Sequence, residues 1–130
     1  MEIDHLTIPV ASYEASKRFY EDALAPLGLT VLLDWPDRRR AYFGVKGEPS
    51  CLWIVESSGA GNIDVTLAAE STDGVDAFHG AALAASAESV QEPGPRGEYN
   101  REYYAARVFD PDRNAVEVVH RLAARAAEAA

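Results

Sequence analysis

Residues 3–10 alternate in polarity along the chain. Leu6, Ile8 and Val10 point one way and Ile3, His5, Thr7 and Pro9 the other, the period-two signature of a strand with one buried face. Pro9 has no amide donor, which sets the end of this strand near a sheet edge. Ser12 is placed to cap a helix that runs to about Ala25, with Ala15, Phe19, Ala23 and Leu24 near one face. Pro26 and Gly28 stop it. Residues 29–35 and 40–46 read as strands joined by a Pro36-Asp37-Arg38 turn. Lys46-Gly47-Glu48-Pro49 then turns the chain into a fourth strand over residues 51–56. The order is β-α-β-β-β.

After a short hinge, Ser57-Ser58-Gly59-Ala60-Gly61, the order begins again. Residues 62–69 read as a strand. Residues 73–86 read as a helix with Val75, Phe78, Ala82 and Leu83 on its apolar side. Residues 89–92 form a weak strand, 93–98 a loop, and 102–109 and 115–121 two further strands around the Asp110-Pro111-Asp112-Arg113-Asn114 turn. Residues 122–130 are Ala-rich and predict a short helical tail. The halves also correspond residue by residue: His5 returns as Asp64, Thr7 as Thr66, Phe19 as Phe78 and Leu24 as Leu83, each 59 positions on. A repeat of this length is one supersecondary unit duplicated, and two such units pack on each other. The expected fold is α+β, with one module over residues 1–57, a second over 62–121, and a pseudo-twofold axis between them.

Composition narrows the function. The chain has 130 residues, 48% hydrophobic and 25% charged, enough for one cored domain made of two small halves. Its net charge of −9 repels a phosphate backbone, which disfavours nucleic acid and leaves a neutral or cationic ligand open. The single cysteine, Cys51, excludes an intrachain disulfide; a buried inert thiol and a reducing cytoplasm are expected. No apolar run approaches a membrane span, and the acidic start Met1-Glu2-Ile3-Asp4-His5 is unlike a signal peptide.

The candidate chemistry lies on the faces turned away from the helices. His5 and Asp64 hold equivalent places in the two first strands, and both residue types ligate first-row metals. Glu117 is a lone carboxylate among the β-branched residues of the last strand, a place that is costly for a charge unless it meets water, a partner or a metal. Arg107 either pairs with Glu117 across neighbouring strands or contacts an anion. Tyr103 shares its face. Trp53 stands in the first module where Glu117 stands in the second, and a flat ring there suits a flat organic ligand or simple core packing. His79 reads as a surface residue, His120 falls on the face opposite Glu117, and alternation separates Asp4 from His5.

His-x-Thr-x-Pro-Val, Ser-x-x-x-Ser-Lys-Arg-Phe-Tyr, Leu-Gly-Leu, Asp-Pro-Asp-x-Asn and the final-strand Glu together resemble the vicinal oxygen chelate superfamily of glyoxalases, bleomycin-resistance proteins and extradiol dioxygenases, over about residues 3–121. The resemblance implies two βαβββ modules whose curved mixed sheets share a cleft. It implies a divalent metal (Zn, Ni, Mn or Fe) held by His5, Asp64 and Glu117, acting as a Lewis acid on two vicinal oxygens of a small substrate. Arg107 or Tyr103 would orient that substrate and Trp53 would line its site. Lyase, isomerase or dioxygenase chemistry follows from this reading, with a homodimer as the expected assembly. The sequence departs from the pattern at Trp53, which stands where a carboxylate can, at Asp64, where His is common, and at Arg113, where glycine is usual. The alternative function is metal-free sequestration of a small molecule.

Overall fold

A computed structural model describes residues 3–49, 51–98 and 101–122; the tail expected beyond Leu122 and the side chain of Cys51 lie outside the described residues. The first module contains β1 (His5–Val10), α1 (Tyr13–Leu24), β2 (Thr30–Trp35), β3 (Arg40–Gly44) and β4 (Cys51–Glu56). The second contains β5 (Asp64–Ala68), α2 (Thr72–Ala84), β6 (Glu88–Glu98), β7 (Arg101–Phe109) and β8 (Ala115–Arg121). Each module forms a four-stranded mixed sheet, ordered β1-β4-β3-β2 and β5-β8-β7-β6. The first and last strands of each module run parallel, and the other neighbours antiparallel.

The same local signals build both copies. Ser12 Oγ accepts from the Ala15 amide at 3.2 Å and Ser71 Oγ from the Gly74 amide at 3.1 Å, satisfying one orphan donor at each helix start. These caps too are 59 residues apart. The chain leaves α1 through a single 3-10 turn, Ala25–Leu27, and Gly28 closes it at φ 84°, a left-handed conformation glycine adopts without a Cβ clash.

One core serves both modules. Ile8, Val10, Phe43, Leu52 and Ile54 from the first sheet and Val65, Val108, Val116 and Val118 from the second are buried with Phe19, Tyr20, Leu24, Val75 and Phe78 of the helices. Burial of each large side chain here contributes roughly 1.5–3 kcal/mol. The modules meet through α1 against α2 and through α2 against the 3-10 turn. A polar pin fixes their angle. Tyr20 Oη of α1 donates to Asp110 Oδ2 at 2.6 Å, in the turn between β7 and β8, and the Ala11 amide donates to Asp112 Oδ1 at 3.1 Å. Asp110 also accepts from the amides of Asp112 and Asn114 at 2.8 Å each, and from Asn114 Nδ2 at 2.9 Å.

Several local expectations change. The weak strand and loop over residues 89–98 are one strand, β6, paired with β7 through an irregular register between Gln91 and Gly94. Pro93 and Pro95 are tolerated because β6 is a sheet edge and needs donors on only one side. Tyr20 rather than Ala15 completes the buried face of α1, while Leu83 of α2 is exposed. His79 is buried, 8% exposed, with Nε2 2.8 Å from Ser89 Oγ, since α2 packs against β6.

Candidate ligand-binding site

Alternation gives each sheet a second face, turned from the helices, and register decides which side chains meet there. In the first module Thr7 of β1 pairs with Trp53 of β4, and Trp53 pairs with Tyr42 of β3. In the second, Thr66 of β5 pairs with Glu117 of β8, and Glu117 with Arg107 of β7. The duplication therefore carries two equivalent triads: Thr-Trp-Tyr in one copy and Thr-Glu-Arg in the other. The scaffold is repeated and the chemistry is not.

The charged triad is closed on itself. Arg107 Nη1 lies 3.2 Å from Asp64 Oδ2 and Nη2 lies 3.4 Å from Glu117 Oε1. Thr66 Oγ1 donates to Glu117 Oε1 at 3.1 Å. Glu117 is thus a partly buried carboxylate with two donors, and Asp64 is mostly exposed. Thr66, Tyr103 and Glu117 line a cavity of about 240 Å³ with Arg96 and Arg121. Of the residues expected to act together, the structure brings Asp64, Arg107, Glu117 and Tyr103 to one face.

It does not bring His5 or Trp53 to them. His5 belongs to the first sheet, and its Nδ1 lies 2.9 Å from Asp4 Oδ1. Asp4 precedes β1, so strand alternation does not separate the neighbours and they form a pair. Among the described residues no three of His, Cys, Asp and Glu gather into a set able to hold a metal ion. His5, Asp64 and Glu117 have the donor chemistry for Zn, Ni, Mn or Fe, but within one chain they do not converge, and a guanidinium already occupies the gap between the two carboxylates. The ligand set expected from the sequence does not fit a metal inside this chain.

The triad of the first module carries rings in place of charge. Tyr42 and Trp53 have ring centroids 4.5 Å apart, and Trp35 at the end of β2 adds a third ring 5.3 Å from Trp53. Tilted aromatic contacts at these separations are attractive beyond their area burial. Arg40 lies over Trp53, Cζ 5.6 Å from the ring centroid, and Arg38 over Trp35 at 5.2 Å. Arg39, between them, is committed elsewhere: it bonds Glu14 at 2.7 Å and Glu56 at 2.9 Å. Asp34 beside Trp35 is also committed, to the Tyr13 hydroxyl and to Lys17 at 3.0 Å, and these donors hold its carboxyl below the usual range. Trp35, Tyr42 and Arg40 escaped the sequence reading. Trp35 and Arg40 pair across the Pro36–Arg38 turn, and the Tyr42–Trp53 pairing places both beside Trp53, but only the β3–β4 register reveals it.

The model of the Glyoxalase/Bleomycin resistance protein/Dioxygenase superfamily matches residues 2–118. The chain belongs to that superfamily. A glyoxalase/bleomycin resistance protein from Albidiferax ferrireducens T118 superposes with a TM-score of 0.78 at 26% identity, over 92% of this chain and 98% of that one. A putative glyoxalase from Bacillus halodurans gives 0.70 at 23% identity, over 91% and 94%. A glyoxalase/bleomycin resistance protein/dioxygenase family enzyme from Burkholderia phytofirmans PsJN gives 0.68 at 17% identity, over 94% and 100%. The last two likenesses carry the fold alone. No curated protein matches the sequence. Superfamily membership fixes the paired βαβββ architecture and leaves the reaction open, because one fold hosts many chemistries. No helix among the described residues is long and apolar enough to cross a membrane.

Proposed function

We propose that this protein binds and sequesters a flat organic molecule without a metal, on the face built by Trp35, Tyr42 and Trp53. The observation that carries the reading is the three-ring floor, which offers stacking surface where the other module has charge. The ion pairs of Arg107 support it from the other side. A divalent cation between Asp64 and Glu117 would sit beside a fixed positive charge, a repulsion of about 4 kcal/mol per product of unit charges at ~4 Å in a protein-like dielectric, reduced by solvent at the exposed Asp64. Within this reading Trp53 is the binding residue of the sequence analysis, while Arg107 and Glu117 shape the second face.

A metal-dependent lyase or dioxygenase is the second reading, and one observation favours it. The Asp4 carboxylate fixes His5 through Nδ1, which leaves Nε2 free as a ligand in the manner of an oriented metal-binding histidine. Glu117 and Asp64 would then have to come from a second copy, with Tyr103 and Arg107 aligning the substrate. Edge strands β1 and β5 border an apolar groove of about 380 Å³ that includes Leu6, Leu29, Leu52 and Leu67, a surface on which a homodimer would close.

Thermal melting separates the readings. A ligand that binds only the folded state raises the Tm by mass action. With Zn, Ni, Mn or Fe(II) added after EDTA treatment, we expect no rise, and we expect neutral 2-naphthamide to raise the Tm of the wild type and not of Trp53→Ala. A metal-induced rise that disappears in His5→Ala would replace the first reading with the second.

A further inference from the structure

Resting on the binding reading above, we infer that the molecule taken by the aromatic face is an aromatic anion, its ring on Trp53 and its carboxylate or equivalent group on Arg40. Three observations converge on this. First, Arg40 Nε is buried without a hydrogen-bond partner, the one such side-chain atom among the described residues. An unsatisfied buried donor is costly, and more so on a charged group, so a guanidinium that turns toward a ligand acceptor recovers energy the free protein forfeits. Second, no carboxylate of the described residues pairs with Arg40, although the chain carries a net charge of −9 and its neighbour Arg39 takes two acids. Third, Arg40 lies over the ring of Trp53, so an anion held by the guanidinium has its aromatic body directed onto the three-ring floor.

The surrounding charges permit this. Asp34 is paired with Lys17 at 3.0 Å and accepts from the Tyr13 hydroxyl. Asp37 shares the turn with Arg38, whose guanidinium covers Trp35 and supplies a second positive charge on the same face. The distant acidic surface acts weakly, since charges beyond about 8–10 Å are screened at physiological salt. A guanidinium fork also matches a carboxylate in two parallel hydrogen bonds, a geometry an ammonium does not offer.

The experiment is isothermal titration with three probes of one shape: 2-naphthoate, neutral 2-naphthamide and cationic 2-naphthylmethylammonium. The wild type is expected to bind the carboxylate about tenfold or more tightly than either analogue, the gain of one charge-assisted hydrogen bond over a neutral one. Arg40→Gln is expected to remove that preference, bringing the carboxylate and amide affinities within about twofold of each other, and Trp53→Ala to weaken all three. Equal binding of carboxylate and amide by the wild type, or a preference that survives Arg40→Gln, overturns the assignment of the anion while sparing the aromatic site. Failure of every probe to bind overturns the aromatic site itself, and the assignment with it. The probe comparison within the wild type stands whatever the variants' stability.

Discussion

Tyr20→Phe isolates the bond that holds the two modules at their angle. The substitution removes one oxygen and keeps the ring that packs against Phe19 and Phe43. Tyr20 is fully buried, Asp110 is 4% exposed, and their oxygens are 2.6 Å apart. A buried hydrogen bond to a charged acceptor is worth about 1.5–3 kcal/mol. Asp110 Oδ2 would keep one donor, Asn114 Nδ2, so the loss falls in the middle of that range, about 2 kcal/mol. With an unfolding entropy of roughly 2.1 cal/mol/K per residue, a chain of this length should lose about 7 °C in Tm. Urea unfolding followed by circular dichroism measures the free energy, and Tyr104→Phe is the control. Tyr104 Oη makes an equally short bond, 2.6 Å to Asp76, but at the exposed surface, where water replaces a lost partner and the loss should be much smaller. Alkaline pH provides a second readout. Burial and the Asp110 carboxylate push the Tyr20 phenol well above its ordinary value near 10. The folded state therefore favours the neutral phenol; its contribution is complete below pH 10 and is lost as pH climbs toward the raised folded value. Tyr20→Phe should flatten part of that alkaline decline. If Tyr20→Phe costs no more than Tyr104→Phe, the buried pin is not what couples the modules.

Other outcomes follow from the same geometry. Burial and the Asp34 bond push the Tyr13 phenol up to about 12, so wild-type stability should fall between pH 10 and 12, and Tyr13→Phe should reduce that fall in pH-dependent melting; an unchanged alkaline limb would show the bond to Asp34 is not formed. Arg113 adopts φ 62° in the β7–β8 turn, where glycine carries no Cβ penalty. Arg113→Gly should remain within about 1 kcal/mol of wild type, the relief of strain offsetting the exposed pair with Glu88 at 3.2 Å and the guanidinium over Phe109, while Arg113→Val should be worse than Arg113→Gly by about 1–2 kcal/mol in urea unfolding. Equal stability of those two variants would contradict the left-handed turn.

The repeat was legible because it is written in local code. Period-two alternation, a serine cap 59 residues from its twin and glycine or proline at the turns specify strands and helices without knowledge of neighbours. The equivalence of Trp53 and Glu117 was also legible, and the Thr7–Trp53 and Thr66–Glu117 registers bear it out. Local code failed at β6, where Pro93 and Pro95 read as a loop; sheet position, not propensity, decides whether a missing donor matters.

The chain by itself therefore determined two βαβββ copies and which residues face away from the helices. It could not determine which of those faces meet. Alternation assigns His5, Asp64 and Glu117 to equivalent faces of two sheets, but their separation depends on how α1 packs on α2 and where Tyr20 grips Asp110, contacts between residues up to 90 positions apart. Only the tertiary structure set Arg107 between the two carboxylates and gathered Trp35, Tyr42 and Trp53 beneath Arg40. The physical reason is that period and propensity act over a few bonds, whereas cross-strand register and module packing are fixed by burial of a shared core.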